Sequence, residues 1–285
     1  MHNTLTGTIL HPDETYPFLR LVTLSVCVCG LALGGCKNNS SADGSTQHSV
    51  AKKSNESRSA KPVADGVQHT TKMHDSTHPP IDCPLRKQGI NPAHLRPFED
   101  VEKYISFLER VDRASWQKPD EVVAALGLKG AETLFDLGAG SGYFSFRFAE
   151  ALPAGKVIAA DTEPEMIRHI HHRAVNDGIP NVEAKLITPT DPGVTADTDF
   201  VFVCDVLHHV ADRPAWLTKL TRQMKTGAHL ALVEFKEGKL PEGPPEAVKI
   251  PRGKLVELVE KAGLLLEVEH KDLLPYQVFL VFKKP

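Results

Sequence analysis

The chain has 285 residues, of which 41% are hydrophobic and 24% charged, with a formal net charge of -3. That balance belongs to a globular chain with a packed core and excludes a wholly disordered chain, a collagen-like repeat and a multi-span membrane protein. Without a basic excess, bulk charge offers no footprint for nucleic acid, and five cysteines are too few for a disulfide scaffold. The first recognisable element is the uncharged run from Leu21 to Gly35, preceded by Arg20 and followed by Cys36. A positive residue, an apolar run of this length and a small-residue exit form the layout of a secretory signal. The run falls short of the ~20 apolar residues that a transmembrane helix needs. Asp13 and Glu14 depart from a positively charged start, which a translation start further downstream would explain.

The exit Leu33-Gly34-Gly35-Cys36 resembles the lipobox of bacterial lipoproteins. The resemblance implies a signal over residues 1–36, lipidation of Cys36, a membrane contact through that lipid anchor, and residence in the bacterial envelope. Lys37 in place of an aspartate implies the outer membrane where one is present. Between Cys36 and Ile81 there is no Leu, Ile, Phe, Tyr or Trp, and residues 37–95 read as a disordered polar tether. His69, His74 and His78 lie near Cys83, but their spacing matches no compact ligand set. A Cys83–Cys204 disulfide is not expected, because Cys204 falls within a buried strand.

Residues 96–285 read as the folded domain. Phe98, Val101, Tyr104, Ile105 and Leu108 recur at helical spacing, and Pro119 opens a second helix through Leu126. Strands follow at Thr133–Leu137, Lys156–Asp161, Asn181–Ile187, Asp199–Cys204 and His229–Phe235. Helices run from the glycine-rich loop to Leu152, then Pro164–Asn176, Ala211–Met224 and Arg252–Ala262. This alternation predicts an α/β fold with a parallel sheet and helices on both faces. The last two strand-like runs, Leu264–His270 and Tyr276–Phe282, are joined too closely for a crossover, so that pair must be antiparallel.

Gly138-Ala139-Gly140-Ser141-Gly142 lies between the first strand and its helix. Its glycines admit positive φ and a close approach to the backbone, and the helix start beyond offers unpaired N–H groups. Asp161, about twenty residues on, stands where a carboxylate accepts two hydrogen bonds from a ribose diol. Together these features call for an adenosine-containing ligand at the carboxyl ends of the strands. The spacing is G-x-G-x-G, not the G-x-G-x-x-G of dinucleotide folds, and Asp136 stands two residues before the first glycine.

The stretch from Asp136 to Gly142 closely resembles motif I of class I S-adenosylmethionine-dependent methyltransferases. The resemblance continues through Val157–Asp161, through Asp199–His209, in the Lys225-Thr226-Gly227-Ala228 turn and in the terminal antiparallel pair, covering Trp116 to Phe282. It implies a Rossmann-like seven-stranded methyltransferase sheet, with S-adenosylmethionine as cosubstrate and a small-molecule methyl acceptor, lipophilic compounds included. It places Asp136, Gly138, Ala139, Gly140, Gly142, Asp161, Thr162, Thr188 and Asp205 around the cofactor, with Asp191 beside Thr188 where the family contacts adenine.

Methyl transfer from a sulfonium needs positioning, desolvation and, for a protonated nucleophile, a base. By position the candidates are His208, His209 and Asp205. His169, His171 and His172 do not share one helical face and read as a solvated surface. The segment Glu234–Pro251 reads as a lid over the pocket, with Trp116 and Gln117 covering the cofactor from the other side. The rival reading is a non-catalytic, membrane-tethered envelope protein that binds an adenosine-containing ligand. A nicotinamide oxidoreductase fails on glycine spacing and on the terminal hairpin.

Overall fold

The computed structural model describes residues 83–91, 94–96 and 98–285; the signal, the lipobox with Cys36 and most of the tether lie outside the described residues. The helices are α1 (Pro84–Lys87), α2 (Phe98–Leu108), α3 (Arg113–Gln117), α4 (Pro119–Ala125), α5 (Ser145–Ala151), α6 (Pro164–Asn176), α7 (Arg213–Gln223) and α8 (Arg252–Lys261). The strands are β1 (Thr133–Leu137), β2 (Lys156–Asp161), β3 (Val182–Leu186), β4 (Phe200–Cys204), β5 (His229–Phe235), β6 (Leu265–Glu269) and β7 (Gln277–Lys283). They form one seven-stranded sheet in the order β3-β2-β1-β4-β5-β7-β6.

Pairing is parallel from β3 through β5, and β7 runs antiparallel against both β5 and β6. The sequence-predicted fold is therefore the one observed. The central strands are apolar runs because both of their faces are covered. One face buries Phe135, Ile158, Val201, Val203, Leu230 and Leu232 against α7 and α8, through Leu217, Leu220, Leu255 and Val259. The other buries Leu134, Val157, Phe202, Ala231 and Val233 against α4 and α5, where Phe144 and Phe148 meet Phe202. The chain order reverses between β1 and β4, which opens a crevice at their carboxyl ends.

The folded unit begins before residue 96. Cys83, Leu85 and Ile90 are buried in one cluster with Ile167, Ile170 and Ala174 of α6. Gln88 completes this dock as a surrogate strand residue: its Nε2 donates to the Ala184 carbonyl at 2.9 Å, and its Oε1 accepts from the Leu186 N–H at 2.6 Å. These bonds occupy the exposed edge of β3, which would otherwise offer free backbone groups. The tether boundary placed at 95 must therefore move upstream, because three short apolar side chains and one amide suffice to dock residues 83–90. Arg96 then pins the following turn through Glu165 at 3.0 Å and Glu163 at 3.2 Å.

A second correction concerns the histidines of α6. His169, His171 and His172 are half-buried beneath the N-terminal segment and are not a solvated surface. His171 Nε2 lies 3.5 Å from Cys83 Sγ, and His169 borders a hollow of about 450 Å³ lined also by Glu102, Ser106, Glu109 and Arg110. Cys204 carries a free thiol. Among the described residues, no helix is long and apolar enough to cross a membrane.

Candidate active site

The glycine loop leaves β1 through three left-handed glycines: Gly138 at φ 79°, Gly140 at 56° and Gly142 at 82°. Only glycine adopts these angles without strain. At Gly138 space is also absent, since a Cβ would stand 2.3 Å from Val206 Cγ2. The β1 loop and the β4 exit thus touch backbone to side chain across the crevice. Gly138→Ala is expected to destabilise the fold by about 2–3 kcal/mol, from overpacking plus the left-handed backbone. Chemical denaturation would measure it, and retention of the wild-type midpoint would show that the crevice is loose.

The loop is tied to β2 by hydrogen bonds. The Gly138 and Ala139 N–H groups both donate to the Ala160 carbonyl, and the Gly140 N–H donates to Asp161 Oδ2 at 2.8 Å. Asp161 Oδ1 accepts from the Glu163 N–H at 3.0 Å. Burial raises the Asp161 carboxyl, and the backbone N–H groups of Glu163, Gly140 and Thr162 oppose that rise. Helix α2 lies over this region. Leu108 approaches Gly140, while burial and the charges of Asp161 and Glu163 raise the Tyr104 phenol.

Asp136 is buried beneath the loop and accepts from Ser145 Oγ at 2.5 Å. Burial pushes its carboxyl up to about 7 against that hydrogen bond, with the Asp161 charge adding to the rise. A raised folded-state value stabilises the fold below the ordinary aspartate range and costs stability as pH climbs from about 4 to about 7. Asp136→Asn is expected to flatten that slope in melts taken across the same interval. An unchanged slope would assign the pH dependence to other groups.

At the β4 exit Asp205 adopts φ 58°. Gln277 Nε2 donates to its Oδ1 and Oδ2 at 2.7 and 2.9 Å, and Gln117 Nε2 donates to Oδ2 at 3.0 Å. Gln117 Oε1 accepts in turn from Arg113 Nε, whose guanidinium also covers the Tyr143 ring. Burial raises the Asp205 carboxyl, with the Glu234 charge adding to it.

The other sequence candidates divide. His208 is buried with its Nδ1 2.8 Å from Glu234 Oε2, while Glu234 Oε1 accepts from the Leu207 N–H at 2.6 Å. This contact staples the β4 exit to β5 and engages the Nδ1 of the His208 imidazole. His209 is exposed with its ring centroid 4.1 Å from that of His208.

Thr162 and Thr188 are exposed. Asp191 is turned toward α7, accepting from Gln223 at 2.7 Å and paired with Lys219 at 2.9 Å, which holds its carboxyl well below the usual range. Within the segment after β3, the Asp191 carboxyl is thus engaged by α7. A short polar stretch at the expected position was the only signal for these residues.

The segments before β1 and after β5 meet at an aromatic cluster, while Gln117, expected to cover the cofactor, is fully buried against Asp205. Trp116 stacks near Phe235 and Tyr276, with ring centroids at 5.7 and 6.1 Å. Gly243 of the segment after β5 rests on the Phe235 ring, where a Cβ would come within 2.5 Å. Arg110 lies over Phe107 and Trp116 and pairs with Glu242 at 2.5 Å, bridging the end of α2 to the segment after β5. Glu234, read from the sequence as the start of the lid, lies instead buried in β5, and Gln277 was not singled out. The available signals were a carboxyl inside the otherwise apolar β5 run and an amide opening β7, both on fully covered strands.

Comparison with known proteins places this geometry. Residues 135–230 match the model of a methyltransferase-domain family. A trans-aconitate 2-methyltransferase of Azoarcus sp. (strain BH72) is 26% identical over 136 residues, covering 48% of this chain and 50% of that protein. The chain thus spans about half the length of the curated relatives it matches. A SAM-dependent methyltransferase structure from Aquifex aeolicus superposes with a TM-score of 0.59 at 24% identity, over 63% of this chain and 96% of that one. The [4+2]-cyclase SpnF shares the fold with a TM-score of 0.51 at 15% identity, over 59% of this chain and 80% of that one. With its seven-stranded sheet, reversed terminal hairpin and glycine loop, the chain has the fold of these methyltransferase structures, and its residues 135–230 are similar to a methyltransferase domain.

Proposed function

We propose that the chain is an S-adenosylmethionine-dependent methyltransferase acting on a small-molecule acceptor. The observation that carries this reading is the pairing of two buried carboxyls around one glycine loop, Asp161 bonded to its backbone and Asp136 beneath it. The fit to the cofactor rests on what these groups lack. Asp136 has Ser145 as its hydrogen-bond donor and is pushed to about 7 by burial, so a ligand ammonium would relieve it. Ser141 Oγ and Tyr143 Oη, in and beside the loop, are buried without a hydrogen-bond partner. A polar ligand would supply what these atoms miss.

When bound, S-adenosylmethionine supplies a methyl group on a positively charged sulfur with a neutral thioether as leaving group. The chain's own residues do the remaining work. Asp161 accepts the ribose hydroxyls, Asp136 balances the ammonium, and the loop glycines admit the ligand against the backbone. Trp116, Phe235 and Tyr276, with the lid that carries Gly243 and Glu242, exclude water from the acceptor side. The lipid anchor at Cys36 would hold this domain at a bacterial envelope membrane.

Calorimetric titration of the full chain with S-adenosylmethionine and S-adenosylhomocysteine tests the reading. Binding to both is expected. A folded sample that binds neither would sink it. Binding without transfer to any acceptor would favour the rival, a tethered protein that holds an adenosine-containing ligand, and SpnF shows that this fold carries other chemistry.

A further inference from the structure

Two fully buried glutamines converge on Asp205 from opposite parts of the domain. Gln117 closes α3 ahead of the sheet, Gln277 opens β7, and 160 residues separate them. They are 0% and 2% exposed. Glutamine is seldom buried to that degree, and each such amide must find partners for both of its ends. Here the partners form one chain: Arg113 Nε donates to Gln117 Oε1, and Gln117 Nε2 donates to Asp205 Oδ2 and lies 3.3 Å from Gln277 Oε1. Gln277 Nε2 spans both Asp205 oxygens.

The carboxyl they hold sits on a left-handed residue at the crevice end of β4, a conformation that aspartate adopts more readily than most residues but less readily than glycine. Strain, two buried amides and a guanidinium relay all serve the orientation of one carboxyl. Such concentrations of cost mark groups whose direction matters for function. The neighbouring Val206 packs on Gly138, so this carboxyl belongs to the same crevice as the cofactor loop.

We propose that Asp205 takes up the proton of the methyl acceptor, that Gln117 and Gln277 are the positioning residues that aim it, and that the acceptor is therefore an amine or hydroxyl compound and not a carboxylate. The proposal rests on the methyltransferase reading. In the step, the lone pair of the acceptor nitrogen or oxygen forms a bond to the methyl carbon. The carbon–sulfur bond breaks, and its electron pair stays on sulfur, which passes from sulfonium to neutral thioether. The acceptor's proton moves to an Asp205 oxygen, and the resulting carboxylic acid later releases it to water.

A carboxylate acceptor has no proton to give. The charged and titratable groups acting on Asp205 are Glu234, Arg113, His208 and Cys204. Burial raises its carboxyl from the ordinary aspartate range, which brings proton uptake closer to neutrality.

The test uses the full chain, first titrated with S-adenosylhomocysteine. Failure of the wild-type chain to bind would strike the methyltransferase reading itself. With that ligand bound, carbon-13 carboxyl NMR of aspartate-labelled protein follows Asp205, assigned with Asp205→Asn. Gln277→Leu removes donors to the charged form and is expected to raise the midpoint by roughly one pH unit. Gln117→Leu provides a second variant from the other end of the chain and should shift it in the same direction.

Radiolabelled S-adenosylmethionine is then offered with primary amines and phenols in one set and with trans-aconitate and malonate in the other. Label is expected in the first set, falling about 100-fold or more in Asp205→Asn. The acid limb of the rate profile should move upward in Gln277→Leu. Label in the carboxylate set, an Asp205→Asn variant that retains the rate, or a midpoint indifferent to both glutamines would overturn the proposal.

Discussion

Glu234→Leu is expected to cost about 3–5 kcal/mol of stability and to lower the melting temperature of the domain by roughly 10 °C. Glu234 is 1% exposed, and its carboxyl closes two short contacts, with the Leu207 N–H at 2.6 Å and His208 Nδ1 at 2.8 Å. Removing it strands a buried amide and a buried imidazole, each costing ~1–3 kcal/mol when left unpaired. The loss also frees the short 3-10 turn Leu207–His209, which follows directly on Asp205 and Val206. The defect should therefore reach the crevice as well as the melting curve.

The double variant Glu234→Leu with His208→Phe should cost less than the sum of the two single changes, because removing both partners leaves one fewer orphaned group. A thermal melt of the two single variants and the double one measures this. Strict additivity would mean that the His208–Glu234 contact contributes nothing, and a near-neutral Glu234→Leu would mean that water reaches the staple.

Asp161→Ala is expected to weaken S-adenosylmethionine binding about 100-fold. Two hydrogen bonds from ribose hydroxyls to an ionised carboxyl contribute ~1.5 kcal/mol or more each, and about 3 kcal/mol in total corresponds to roughly two powers of ten in affinity. The substitution also removes the acceptor that the Gly140 and Glu163 N–H groups use, so the loop loses part of its tie to β2. Asp191→Ala is the natural control. Its carboxyl is engaged by Lys219 and Gln223 on α7, and its removal should leave the affinity within a factor of two or so. Calorimetry on the three proteins decides the matter: equal affinities for Asp161→Ala and wild type would remove Asp161 from the site.

These expectations differ in where they came from. Asp161 was legible in the sequence because its position depends on local rules. A strand of known length ends, an acid follows, and the spacing from the glycine loop is set by one βαβ unit. Asp136, Gly138, Gly140 and Gly142 were legible for the same reason, as each is dictated by a turn that must be tight and left-handed. Thr188 and Asp191 were assigned by position alone. The structure moved Asp191 to α7, because a short polar loop goes wherever a lysine and a glutamine offer it partners.

The alternation of strands and helices, their order and the terminal antiparallel pair followed from hydrophobic period, turn residues and the length of one connection. Those are near-neighbour properties of the chain, and the sequence by itself determined them. Tertiary structure alone decided that Gln88 pairs with the edge of β3, that His208 is stapled to Glu234, and that Gln117 and Gln277 meet on Asp205. Each of those contacts joins side chains 26 to 160 residues apart. No local period encodes such a contact, because a buried polar group is held by whichever partner the fold brings within about 3 Å, and that distance exists only once the sheet has closed.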